Sequence, residues 1–346
     1  MRVHKLVALL AAAALSAAAC ASGGNTGSTG TNAGQGASPT IQFQKKEPVK
    51  IGYSVYDLQQ PYWQAYAAGI KAAAAKQNIQ VVVADQKSSQ QNQVSGSADL
   101  INQGISALII SPVQPPALPA TVSAAHTAKI PIVVADIGAQ GDYDAFILSD
   151  NRHGGQLAAQ YVTDALKAKP APHEVGVIEL HSGSAVGDDR VGGFKDALAK
   201  NKDFKVVSSI SGNDTVDGGF KAAQDMLSAN PNLAAIYAAN DPEAEGASRA
   251  LEAAGKSPAN GFVLIGFNGD PPALDLIQSG KQSATVAQDP YGQGQLAVDT
   301  ALKLLNGQKP NFADANTRTL LVPVEVVTTD NLAQFRASRQ GQTAAP

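Results

Sequence analysis

Short apolar runs alternate along the chain with stretches whose apolar residues recur every three or four positions. The runs are Val49–Val55, Gln80–Ala84, Ala107–Ser111 and Pro131–Ala135, then Glu174–Leu180, Lys205–Ile210, Ala234–Ala238, Phe262–Phe267 and Ser283–Ala287. Runs that are apolar at nearly every position are buried on both faces, as strands of a helix-covered parallel sheet are. Between them, Trp63, Tyr66, Ile70 and Ala74 share one face of a predicted helix. Val94 and Ile101 lie a heptad apart in the next, and Ala222, Ala223 and Met226 mark another. The alternation predicts an α/β fold. It runs twice, from Val49 to Ser149 and from Glu174 to Phe267, as two similar lobes would.

Polar residues recur immediately after the apolar runs: Tyr56-Asp57, Asp85, Ser111-Pro112, Asp136, His181-Ser182, Asn240-Asp241, Asn268 and Gln288-Asp289. Loops at the carboxyl ends of parallel strands are where such sheets bind ligands. The same residue types also cap helices, and capping is the expectation for Asp85, Ser111 and Asp241. Asp136 is open between the two roles.

The first 20 residues are of another kind. Arg2 and Lys5 precede an apolar run from Leu6 to Leu15, and small residues then lead to Cys20. This is the pattern of a secretory signal, too short to remain as a membrane span. Leu15-Ser16-Ala17-Ala18-Ala19-Cys20 resembles a bacterial lipobox with Ala17 in place of the commoner Leu, so Cys20 is the expected lipidation site. It is the chain's one cysteine, which excludes an internal disulfide and a cysteine-built zinc site. Residues 21–47 begin with an uncharged Gly/Ser/Thr/Asn-rich stretch and read as a flexible tether. Without Arg2 and Lys5, the 26 basic residues become 24 against 29 acidic, a net of −5. Nucleic acid is an unsuitable partner, since no basic stripe exists to neutralise phosphates.

Enzyme signatures do not hold together. Gly255-Lys256-Ser257 imitates the end of a phosphate-binding loop, but Ala250 stands where its first glycine is needed, and Gly255 reads as a helix C-cap. Gly292, Gly294 and Ala297 have dinucleotide-loop spacing without an acidic residue at a strand end about 20 positions on. The histidines lack metal-ligand spacing, and no Gly-x-Ser-x-Gly elbow occurs. A glycoside hydrolase would need two carboxylates flanking a bond, whereas among these strand-end polar residues Asp136 is the one carboxylate set against a ligand. No catalytic residue, cofactor or metal is expected.

What remains is a polar and aromatic constellation that suits a sugar. Tyr62 and Trp63, the chain's one tryptophan, follow Pro61 at a helix start. Flat aromatic faces cover the C–H surface of a sugar ring, while planar carboxylate, amide and guanidinium groups pair with its hydroxyls. For Trp63, stacking on a ligand and packing in the core remain equal alternatives.

At these residues the chain resembles the sugar-binding proteins of bacterial ABC importers, the ribose-binding-protein-like family of type I periplasmic receptors. The resemblance rests on Gln59-Gln60-Pro61-Tyr62-Trp63, Pro131 to Asp136, Ser149-Asp150-Asn151 with Gly154-Gly155, Arg190 to Phe194, Ala239-Asn240-Asp241, Ile265 to Gly269 and Ala284 to Gln288. These seven motifs stand in the family's order.

The resemblance implies two Rossmann-like lobes joined by three crossovers, with ligand held between them. The first lobe would take residues 48–149 and 289–320, the second 150–288 and 321–330, leaving 331–346 as a tail. It implies ligand contacts at Tyr56, Gln60, Tyr62, Trp63, Asp136, Arg190, Asp214, Asn240, Asn268 and Gln288, and as partners a sugar or polyol, an ABC permease with its ATPase, and a membrane through the lipid anchor. A chemotaxis or signalling receptor of the same fold is the alternative. Two departures bear on the ligand: Ile137 stands where relatives carry Arg, and Asn268 where they carry Asp. One cation and one anion are missing together, which still suits a neutral ligand but not ribose in particular; a polyol, a deoxy sugar or a differently configured sugar fits as well.

Overall fold

A computed structural model describes residues 42–113, 115–138 and 140–342. The expected signal sequence, Cys20 and most of the expected tether lie outside them. Two six-stranded sheets organise the body. The first holds β1 (Lys50–Val55), β2 (Gln80–Asp85), β3 (Ala107–Ile110), β4 (Ile132–Ala135), β5 (Ala145–Ser149) and the late strand β11 (Thr319–Val322), in the order β11-β5-β4-β3-β1-β2. The second holds β6 (His173–Glu179), β7 (Phe204–Ser211), β8 (Leu233–Ala238), β9 (Val263–Asn268), β10 (Ala284–Ala287) and β12 (Glu325–Thr328), in the order β12-β10-β9-β8-β6-β7. All pairings are parallel except β10 with β12.

Each sheet with its helices is one lobe, and the chain passes between the lobes three times: after β5, after β10 and between β11 and β12. The nine predicted runs coincide with nine strands to within about a residue or two at their ends. β5, β11 and β12 fall outside them. β11 and β12 are four-residue edge strands, mostly half-exposed, with apolar runs of only three and two residues. A lobe boundary at residue 320 would cut β11, whose Leu321 and Val322 pair with Leu148 and Ser149 in the first sheet; the third crossover lies between Val322 and Glu325.

The helices are α1 (Pro61–Ala75), α2 (Gln90–Asn102), α3 (Leu118–Thr127), α4 (Asn151–Leu166), α5 (Ala185–Leu198), α6 (Val216–Ala229), α7 (Asp241–Ala253), α8 (Pro271–Gln278), α9 (Pro290–Leu305) and α10 (Leu332–Arg339). Trp63, Tyr66, Ile70 and Ala74 are all buried, as their spacing predicts. In α2 the expected face is wrong: Val94 is 43 % exposed, and Gln93, Ser97 and Leu100 face inward. Gln86 and Ser97 both bond the hydroxyl of Ser54 on β1, so a polar patch behind the strand selects the polar side of α2.

Gly69 and Gly294 let α1 and α9 touch. A Cβ on Gly69 would sit 2.0 Å from the Tyr291 carbonyl oxygen, and one on Gly294 would sit 2.2 Å from that of Tyr66. The apparent dinucleotide spacing in α9 is therefore a helix contact. Gly255 follows α7 with φ +67°, the left-handed C-cap conformation expected of it.

Both ends of the body are better anchored than their composition suggests. Within the expected tether, Gln44 bonds the carbonyl of Lys129, Phe43 packs on the first core beside His126, and Lys46 accepts from Ser106. In the expected tail, Leu332 and Phe335 of α10 are buried against Leu274, Ile277, Ala287 and Val327.

Candidate functional site

On the first lobe, Asp136 directly follows β4, and its φ of +64° turns it out of the strand direction. This left-handed conformation is uncommon outside glycine and is tolerated best by Asp and Asn. Asp136 caps no helix. Its Oδ1 accepts the hydroxyl of Tyr62, from the first turn of α1, at 2.9 Å. The same hydroxyl lies 3.3 Å from Oε1 of Gln293 on α9; it has one proton, and the charged, closer acceptor takes it. Loss of water raises the Asp136 carboxyl above its ordinary range, while the charge of Arg190 and the Tyr62 bond pull it back.

On the second lobe, Arg190 comes from α5 and is 4 % exposed. Nε donates to Asn151 Oδ1 at 2.8 Å, and Nη1 to the Ala239 carbonyl at 2.9 Å and to Asn268 Oδ1 at 3.3 Å. The guanidinium lies over the Phe267 ring, 3.9 Å from its centroid, a cation–π contact. Burial lowers its pKa, with Tyr237 and Asp136 opposing, but a guanidinium stays charged in proteins. Nη2 has no protein acceptor among the described residues, so one edge of the fork is left for another partner.

Between the two sides runs a line of buried hydrogen bonds through the crossovers. Gln293 Nε2 donates to Ser149 Oγ at 2.8 Å, Ser149 donates to Gln288 Oε1 at 2.7 Å, and Gln288 Nε2 donates to Asn268 Oδ1 at 2.9 Å. Arg190 closes the line at Asn268, and at the other end Gln293 Oε1 lies 3.3 Å from the Tyr62 hydroxyl, whose proton goes to Asp136, so the line brings the polar groups of both lobes together. Ser149 and Gln293 on the line, and Asn151 beside Arg190, were not among the expected site residues. Asn151 lay within a quoted motif; Gln293 carried no signal, because only the fold turns it inward.

Asn268 also explains one departure. Its Oδ1 takes the Arg190 and Gln288 donors, while its Nδ2 donates to Asp270 Oδ2 at 3.0 Å. A carboxylate is thus present two residues on. Asp241 lies behind it, accepting from the backbone of Gly269 and Asp270 and from Thr285; burial and the neighbouring Asp270 push it up to about 7. Asp241 is not the expected cap: Asn240 caps α7 through Glu243 N at 2.8 Å. Asp85 and Ser111 also fail as caps, the first holding Leu58 N and Lys87 N and the second bonding Tyr53.

The remaining expected residues divide. Tyr56, Tyr62 and Trp63 form one aromatic group, with Trp63 stacked on Tyr56 at 5.7 Å and edge-on to Tyr62 at 4.8 Å. Trp63 is 4 % exposed and belongs to the first lobe's core, which is the surrounding of a core residue. Gln60 is exposed at the start of α1, and its side chain makes no cap bond. Asp214 is engaged by His181 and donates its N–H to Glu243 Oε1. Neither joins the Tyr62–Arg190 line.

A family model described as a periplasmic binding protein domain matches residues 51–309. The chain belongs to the periplasmic-binding-protein family. Among relatives of this binding-protein family, the ribose import binding protein RbsB of Bacillus subtilis (strain 168) is 34 % identical over 276 residues, covering 80 % of this chain and 87 % of the relative. A solute-binding protein of an ABC transporter from Actinobacillus succinogenes 130z, solved with bound D-allose, superposes with a TM-score of 0.73 at 27 % identity, covering 83 % of this chain and 99 % of that one. One from Bacillus halodurans C-125 with bound myo-inositol gives 0.71 at 25 % identity, over 84 % and 97 %. These relatives are binding proteins and not enzymes, in agreement with the absence of a catalytic constellation in the sequence. The two-lobed, three-crossover architecture of this periplasmic binding protein is likewise the expected one.

Proposed function

We propose that this periplasmic binding protein is the exported, lipid-anchored receptor of an ABC importer, which captures a neutral monosaccharide or polyol between closing lobes and delivers it to a permease and its ATPase. The observation that carries the reading is the pairing of sites across the cleft. Asp136 with Tyr62 on one lobe faces the electrostatic reach of Arg190 on the other, and Asn268 and Gln288 stand between them. One acceptor charge and one donor charge make a balanced site, and several fixed amides offer the mixed donors and acceptors that vicinal hydroxyls need. The ribose, D-allose and myo-inositol in the relatives' names are all neutral polyhydroxylated molecules.

The proposed contacts are Tyr62, Asp136, Arg190, Asn268 and Gln288, with Asn240 beside Arg190's acceptor Ala239; Tyr56 and Trp63 back the aromatic wall, and Gln60 and Asp214 are not among the proposed contacts. The anchor is proposed at Cys20. The test is a thermal-shift screen against sugars and polyols, followed by calorimetry. A ligand at about 100 times its dissociation constant adds roughly 2.7 kcal/mol. A screen in which no sugar or polyol raises the melting temperature would overturn the reading.

A further inference from the structure

A cavity of about 440 Å³ opens beside the proposed sugar contacts, within the range of small-molecule sites, about 300–1,000 Å³. Tyr62, Asn268 and Gln288 line it, and its other walls are the start of α1, the loop from β9 into α8, and α10. Those walls carry much apolar surface: Pro61 and Ala65 on α1, Leu274 on α8, Pro290 at the start of α9 and Phe335 on α10. The two guanidiniums on them each face a carboxylate, Arg336 pairing with Asp275 and Arg339 with Asp289, while Asp270 accepts from Asn268 and Arg336 Nε is a buried donor with no partner among the described residues. A bare sugar ring has little apolar surface to set against such walls, whereas each apolar group moved there from water gains about 25 cal/mol per Å².

We propose that this cavity receives the neutral, apolar aglycone of a glycoside whose sugar ring sits at Tyr62, Asp136 and Arg190. The proposal rests on the sugar-binding reading and narrows its substrate class. The α10 wall lies beyond the matched family domain, which ends at residue 309, so this side of the cavity is built by a segment outside that domain.

The test is calorimetry on the exported chain with D-ribose, D-allose and L-arabinose, each as free sugar, methyl glycoside and phenyl glycoside in both anomers. For whichever sugar binds, one phenyl glycoside is expected to bind about tenfold or more tightly than its methyl counterpart, the worth of a partly buried ring. Ala65→Leu narrows the cavity from α1 and Phe335→Ala removes its facing ring from α10. Either, checked for an intact melting transition, should erase the gain while leaving the free sugar within about twofold, since neither side chain is among the proposed sugar contacts. Phenyl glycosides that bind no better than methyl ones, or a gain that survives in every folded variant, would overturn the proposal. Failure of these sugars and of every sugar and polyol in the thermal-shift screen would instead bring down the sugar reading on which it rests.

Discussion

The hydroxyl of Tyr62 donates to Oδ1 of Asp136 across 2.9 Å, joining the first turn of α1 to the end of β4 at the centre of the proposed site. Because the bond favours the ionised carboxyl against the upward push of desolvation, Tyr62→Phe should raise the Asp136 pKa further. The protonated carboxyl accepts fewer sugar hydroxyls. Affinity should fall by about 0.5–1.5 kcal/mol and fall further on acidification, at a higher pH than in the wild type. Calorimetry at several pH values checks this, and superimposable profiles would remove Asp136 from the site.

Arg190 is held at Nε and Nη1 and has no protein acceptor at Nη2 among the described residues, so under the proposed function it holds the fold at one edge and meets ligand at the other. Arg190→Lys keeps the charge but not the planar fork. Binding should weaken by about 1.5–3 kcal/mol, the worth of a charged hydrogen bond, and the urea midpoint should drop as Asn151 and Ala239 lose their donor. Asn151→Ala should lower the midpoint with a smaller loss of affinity. Unchanged affinity in the folded Lys variant would exclude Arg190 from ligand contact.

Glu243 is fully buried, and its Oε2 has no partner among the described residues. Burial pushes its carboxyl from 4.5 up to about 8. Between those values the folded chain holds a proton that the unfolded chain has released, so stability falls as pH rises through this window. Asp241, raised to about 7, adds to the same slope. Glu243→Gln should flatten the decline and leave the protein at least as stable as wild type at about pH 8. Urea unfolding across the window measures it, and an equally steep decline in the variant would contradict the assignment.

Trp63 is enclosed by Tyr56, Tyr62 and Tyr66. Trp63→Ala should cost about 3–5 kcal/mol of stability, as large core truncations do. Trp63→Phe should cost less and retain most of the affinity, because Tyr62 keeps its place. A Trp63→Phe variant of wild-type stability that has lost ligand binding would show instead that the indole itself stacks on the sugar.

Lipidation at Cys20 predicts that the exported wild-type chain partitions with membranes and that Cys20→Ala releases it. Sugar affinity should be equal in the two forms, since the proposed contacts lie in the body, far along the chain from residue 20. Equal partitioning of both forms into the aqueous phase would remove the anchor.

Continuous apolar runs such as Ala107–Ile110 and Val263–Phe267 can be buried only between two helical layers, and their alternation with 3.6-period segments determined the α/β class and the doubled pattern from sequence alone. Motif order at Tyr62, Asp136, Arg190, Asn268 and Gln288 likewise indicated, through the family resemblance, which positions to expect at a binding site. Sequence did not show what each side chain does there. Whether Asp241 caps a helix or holds the Asp270 loop depends on neighbours more than 20 positions away, such as Thr285, and whether Trp63 faces ligand or core depends on how α1 seats it against the rest of the first lobe's core. The inward turn of Gln293, the exposure of Val94 and the docking of Phe43 are of the same sort. Local periodicity reports which face of an element is apolar, but a polar group turns inward wherever another lobe or crossover supplies its partner, and only the assembled fold brings Ser149, Gln288 and Gln293 within hydrogen-bonding distance.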